Sequence, residues 1–243
     1  MCKKKGSHLF LIDTSFFLHY NTFMSRKNRY VINGIPHHAF QRGNNGQNIF
    51  RQETDKMFFI KHLARDAKEN KVNIGSYCLM TNHFHFLLFP ETRDGLITLM
   101  KSVSQRYSQY FNWKYKRTGK IWENRYKLNL VEPESAWLVA RYIERNPVRA
   151  RMVERAEEYE YSSAAQHLSG EKNALVTEDI LKNSRESYIR FFYEKDADDK
   201  KKLDQMRTII QQQKAIGSDN FLEKLKKEFK VDFNVRMRGR PKK

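Results

Sequence analysis

The chain has 243 residues, with 46 Lys and Arg against 28 Asp and Glu, for a formal net charge of +18. Its 40% hydrophobic and 13% aromatic content excludes wholesale disorder, and only 10 Gly and 5 Pro exclude a collagenous or linker-dominated chain. The positive excess points to a polyanionic partner, most commonly nucleic acid, though charge alone specifies no chemistry.

Residues 1–25 read as an N-terminal extension. Lys3, Lys4 and Lys5 before His8-Leu-Phe-Leu-Ile12 have the outline of a signal peptide, but Asp13 interrupts it and no small-residue cleavage site follows. The stretch reads equally as upstream sequence from a wrong start, with Met24 the natural beginning. Cys2 and Cys78 are too few and too far apart for a disulfide framework, which fits a reducing cytoplasm. No apolar run approaches the roughly 20 residues needed to span a bilayer.

Arg29 to Gln41 reads as a strand with an irregularity at Gly34-Ile-Pro36, and Gly43-Asn44-Asn45-Gly46 as a turn. Met57, Phe58, Ile60, Leu63 and Ala67 recur at helical spacing across Thr54 to Lys68. Asn73 to Leu79 and His83 to Phe89 are strands joined at Thr81-Asn82, and Leu96 to Tyr115 is a long amphipathic helix ended by Thr118-Gly119. Ile121 to Val131 alternates as a strand, and Glu134 to Arg145 is a helix stopped by Asn146-Pro147. The order strand, helix, strand, strand, helix, strand is the split ferredoxin-like pattern: an α+β fold with an antiparallel sheet and helices on one face. Beyond Leu168 the chain turns lysine-rich, with helices expected at Thr177 to Lys195 and Asp219 to Phe229. The expected division is therefore 1–25, a catalytic domain over 26–168, and a basic helical region over 169–243.

His83-Phe84-His85 is the strongest local feature. Alternation in a strand puts both imidazoles on one face, where two neutral neighbours can chelate a divalent metal. A bare His-x-His describes as well one buried, hydrogen-bonded histidine beside an incidental one, and the triplet alone favours that. Tyr142 and Asn146 lie four apart and so stack on one helix face. A phenol can attack a phosphodiester, but with a pKa near 10 it needs a base, a cation or an activated phosphate. With twelve tyrosines in the chain, packing for Tyr142 and helix termination for Asn146 are, on the residues alone, the favoured explanation of the pair.

Four segments resemble the HUH single-tyrosine transposases, in particular the REP-associated tyrosine transposases. They are Ile35-Pro-His37-His38-Ala-Phe-Gln41-Arg42-Gly43-Asn44-Asn45; Tyr77-Cys-Leu-Met-Thr-Asn82-His83-Phe84-His85; Tyr110-Phe-Asn112 leading into Gly119-Lys-Ile-Trp122-Glu-Asn-Arg125-Tyr126; and Tyr142-Ile-x-x-Asn146-Pro147-Val148-Arg149-Ala150 followed by Tyr161-Ser162-Ser163. The resemblance implies that His83, His85 and Asn146 hold a divalent metal, Mg²⁺ or Mn²⁺, and that Tyr142 is the nucleophile. Thr81 stands where the family commonly has proline and Gly46 where it often has arginine. The implied activity is cleavage and rejoining of single-stranded DNA at hairpin repeats through a 5′-phosphotyrosine, by a monomer or a homodimer.

Arg42, Asn44, Asn45, Arg125, Arg141, Arg145 and Arg149 are candidate DNA contacts, with Trp122 and Tyr126 as stacking platforms. Arg236-x-Arg238-Gly239-Arg240-Pro241 resembles an AT-hook core, whose arginines lie in a narrow minor groove; a disordered basic tail is the simpler description. Two other functions stay open: a metal-dependent hydrolase using His83, His85 and His37 or His38 with water as nucleophile, and a non-catalytic hairpin-binding module.

Overall fold

The structure, a computed structural model, describes residues 29–194, 199–231 and 233. Four strands, β1 (His37–Arg42), β2 (Val72–Leu79), β3 (His83–Pro90) and β4 (Lys127–Leu130), form one antiparallel sheet in the order β2-β3-β1-β4. Helix α1 (Glu53–Glu69) joins β1 to β2, and α2 (Arg93–Lys114) joins β3 to β4. This is the ferredoxin-like α+β arrangement expected from the element order.

Both helices start where side chains satisfy their free N–H groups. Asp55 accepts from the backbone N–H of Arg51 and Gln52 ahead of α1, and Thr92 Oγ1 accepts from Gly95 N in α2. They cover one sheet face with Phe59, Leu63, Leu99, Met100, Val103, Tyr107 and Phe111, packed on Ala39, Phe84, Phe86 and Leu88. Strand alternation turns Phe40, Cys78, Leu87 and His85 to the opposite face.

That opposite face is also covered. Helix α3 (Ala136–Glu144) lies on it through Val139, Ala140 and Ile143, followed by a separate helical turn, α4 (Asn146–Arg149). Pro147 sits near the start of α4, where a backbone N–H is not required, so the proline divides the helix rather than ending helical structure. Farther on come α5 (Ala164–Ser169), α6 (Arg185–Tyr193), α7 (Asp199–Gln212) and α8 (Asp219–Phe229).

A bulge in β2 shapes this side of the sheet. Ile74 opposes Leu88 while Ser76 opposes Leu87, so the alternation slips by one residue and Ser76 and Cys78 turn toward α3. Gly75 permits the slip, because a Cβ there would lie 2.6 Å from the Phe89 ring and 2.8 Å from Ile180.

Some elements are shorter than expected. The first strand begins only at His37, after the turn containing Gly34 (φ +72), and the fourth spans Lys127–Leu130 because Gly119 (φ +88) and the loop after it are not extended. The expected helix 177–195 reduces to α6, since Asp179 Oδ1 accepts from Leu181 and Lys182 N–H and Lys182 and Asn183 take positive φ. Helix α7 was not foreseen. Beyond residue 168, Ile180, Leu181, Tyr188 and Phe192 share a core cluster with Phe40, Cys78 and Leu87. No described helix is long and apolar enough to cross a membrane.

Candidate active site

β1 and β3 are neighbours in the middle of the sheet, with Phe40 opposite His85 and Arg42 opposite His83. His38 lies two residues from Phe40 and so shares its face. The His38 and His85 rings stack with centroids 5.1 Å apart, and His83 meets His85 edge-on at 5.1 Å. Helix α3 brings Tyr142 across these rings, edge-on at 5.6 Å from His85 and 6.2 Å from His38. The phenol and the imidazoles of one chain therefore share one side of its sheet.

Hydrogen bonding fixes how His83 is presented. Asn82 Nδ2 donates to Gly46 O at 3.1 Å, which leaves Asn82 Oδ1 to accept from His83 Nδ1 at 2.6 Å. His83 then carries its hydrogen on Nδ1 and a lone pair on Nε2. The Gly43-to-Gly46 turn braces this arrangement, since Gly43 N donates to Asn82 O and Asn44 N to Ile121 O. Burial, then the nearby charges of Arg42 and Arg149, hold His83 down to about 4, so it is neutral at physiological pH. Burial, reinforced by His38, His83 and Arg149, holds His85 well below its usual value.

Tyr142 is partly exposed. Burial raises its pKa, and Arg149 and Arg207 oppose the rise. The Arg149 guanidinium lies 4.8 Å from the Tyr142 ring centroid and donates to the Tyr142 carbonyl. Burial lowers Arg149 to about 10, which still leaves it cationic at neutral pH. Cys78 on the same face is buried, and burial raises its pKa strongly, so it is an inert thiol.

Asn146 Nδ2 donates to the carbonyls of Tyr142 and Ile143, both at 3.0 Å, leaving Oδ1 as its remaining polar atom. No hydrogen bond among the described residues joins Asn146 to His83 or His85. No three His, Cys, Asp or Glu side chains among the described residues gather as a metal cluster. A cation here would rest on two neutral imidazoles and a neutral oxygen, nitrogen-rich donors that suit a transition-metal ion such as Mn²⁺ better than the oxygen-preferring Mg²⁺.

The remaining candidates divide by placement. Arg42, Asn45 and Arg125 are exposed and Asn44 is partly so; the Arg42 guanidinium lies over Gly46, 2.9 Å from where a Cβ would stand. Trp122 donates to Ser104 O and packs edge-on to Phe84 at the margin of the core, where it is partly buried. Tyr126 is buried, with the Arg29 guanidinium 3.7 Å from its ring centroid. Arg141 donates to Phe191 O, while Arg145 is partly buried. Arg238 and Arg240 lie outside the described residues.

Sequence reasoning offered His38 only as an alternative to His37 in the hydrolase reading, and it did not single out Asn129 or Glu144 on this side of the sheet. His38 touches His85, whereas His37 faces away and accepts from Ile32 N at 3.3 Å. Asn129, fully buried in β4 between Leu128 and Leu130, faces His38. Glu144, two residues beyond Tyr142, is fully buried and bonded to Ser76, Ser163, His167 and Tyr188. The available signal was the polar residue itself, set in an otherwise apolar strand or helix face.

Residues 32–146 match the family model described as Transposase IS200 like. No curated protein is matched. A solved REP-associated tyrosine transposase bound to a REP hairpin is similar at 17% identity and TM-score 0.49, over 67% of this chain and 96% of that one. A putative transposase from Deinococcus radiodurans R1 is similar at 18% identity and TM-score 0.35, over 49% of this chain and 96% of that one.

Proposed function

Residues 32–146 belong to the IS200-like transposase family, and from that premise we propose that this chain cuts and rejoins single-stranded DNA at hairpin repeats through a covalent phosphotyrosine on Tyr142. The observation that carries the reading is the edge-on approach of the Tyr142 ring to His85 and His38 within one chain.

His83 and His85, through Nε2, and Asn146, through Oδ1, would hold one Mg²⁺ or Mn²⁺. That cation supplies charge neutralisation and fixed orientation at the scissile phosphate. The chain's own part is to deliver the phenol. Tyr142 Oη attacks phosphorus, the bond from phosphorus to the 3′ oxygen breaks, and the phenol's proton ends on the departing 3′-hydroxyl. One ester replaces another, so a 3′-hydroxyl can reverse the step without ATP. Arg149 favours the phenolate as charge develops, against the burial that disfavours it. Exposed Arg42 and Arg125 are suited to phosphate contacts. Of the two proposed stacking platforms, Trp122 keeps a partly exposed ring, whereas Tyr126 is buried.

The test incubates the protein with hairpin oligonucleotides copied from repeats flanking its gene, plus Mn²⁺, and resolves products on a denaturing gel. Wild type is expected to give protein-linked DNA and Tyr142→Phe none. An adduct formed by Tyr142→Phe would contradict the assignment, and cleavage without any adduct would support a hydrolase instead.

A further inference from the structure

Asn129 stands opposite His38 where β4 pairs with β1. Its Nδ2 donates to two carbonyl oxygens, Ile209 O at 3.1 Å and Lys214 O at 2.8 Å, in the last turn of α7 and the segment after it. Reversing the amide would set Oδ1 against both acceptors, so Oδ1 must face His38 Nδ1, 3.4 Å away. An amide oxygen only accepts; His38 Nδ1 therefore carries the hydrogen.

His38 is fully buried, and its hydrogen-bond partners, Asn129 and His85, include no acid that would stabilise a cation. As a neutral ring protonated on Nδ1, it has a lone pair on Nε2. That atom lies 2.9 Å from His85 Nδ1. His85 Nδ1 must then be the donor, and His85 Nε2 keeps its lone pair. The chain of bonds from Asn129 to His85 has one consistent direction.

We propose that His38 and Asn129 are positioning residues that hold His85 in the Nδ1–H tautomer, with the carbonyls of Ile209 and Lys214 setting the direction of the relay. The consequence for metal binding rests on the function proposed above, in which His85 Nε2 is the nitrogen offered to the cation; the tautomer itself does not. The C-terminal segment thereby becomes part of the site. It is fastened beside β4 by Ile216, whose N–H donates to Leu130 O and whose carbonyl accepts from Glu132 N, both at 2.8 Å.

The test uses the full-length, metal-free protein labelled with ¹⁵N histidine at neutral pH, where long-range proton–nitrogen correlations distinguish the tautomers. Wild type is expected to show Nδ1–H at both His38 and His85; Nε2–H at His85 would overturn the proposal without need of any variant. His38→Leu should release His85 to a mixture of tautomers and weaken Mn²⁺ binding by about 10- to 100-fold in titration calorimetry. His38→Gln, whose carbonyl can still accept from His85 Nδ1, should restore the tautomer and most of the affinity. A folded His38→Leu protein with the wild-type tautomer would refute the relay. Wild-type protein with the expected tautomer but no Mn²⁺ affinity would support the relay while contradicting the metal assignment above.

Discussion

His37 and His38 are adjacent in sequence, yet β1 sends them to opposite faces. Both are completely buried, and burial holds each down to about 4. An unfolded chain takes up protons at these imidazoles near pH 6.5, whereas the folded protein refuses them until about pH 4. The unfolded state thus binds more protons across that window, and stability falls as pH falls, by about 1.4 kcal/mol per pH unit for each excess proton. Urea midpoints measured from pH 7.5 to pH 5 should decline steadily; a flat profile would mean that the buried imidazoles are already solvated. At this scale His83, His85, Tyr142 and Asn146 are the candidates that alternation and the family's motifs name directly. The sequence could not show which member of the His37-His38 pair meets His85. That depends on the register of β1 against β3, which sets Phe40 opposite His85 and so puts His38, two residues away, on the same face.

The element that carries Tyr142 is anchored from below. Glu144 ends α3 and is completely buried; Oε1 accepts from Ser76, Ser163 and His167 Nδ1, and Oε2 accepts from Tyr188 at 2.8 Å. Burial works to raise its pKa, but His167, Ser163 and Tyr188 together hold it below its ordinary value. Four partners from β2, α5, α6 and the segment before α5 thus converge on one carboxylate under the nucleophile's helix. Glu144→Gln keeps the shape but must pair an amide N–H₂ with groups that are themselves donors, and should cost about 3 kcal/mol in urea denaturation. A loss under about 0.5 kcal/mol would show that the network does not fasten α3. Helical and strand periodicity revealed α1, α2, β2 and β3 within a few residues. The slip at Gly75 that turns Ser76 toward Glu144 has no periodic signal, since it is a break in the alternation. Helix α7 escaped notice although Leu203, Met206, Ile209 and Ile210 recur at helical spacing, because charged residues surround them.

For the whole molecule, a net charge of +18 makes DNA affinity strongly dependent on salt. Binding to single strands should weaken with a log–log slope of about −0.7 for each phosphate neutralised. Residues after Val231 include Arg236, Arg238, Arg240, Lys242 and Lys243, so truncation at 231 should lower affinity and flatten that slope. An unchanged slope in fluorescence anisotropy would remove the C-terminal cations from the interface. The charge was plain in the sequence, whereas the apolar residues that join the later helices to the sheet are concealed there by a lysine-rich surface. Tyr142 meets His38 and His85 of its own chain.

The most direct measurement of the central claim, that Tyr142 is the nucleophile, is mass spectrometry on the trapped protein–DNA product after proteolysis and nuclease trimming. The expected result is a single modified peptide with the nucleotide's 5′ phosphate esterified to Tyr142. Modification at any other residue, or cut DNA with every peptide unmodified, would contradict it.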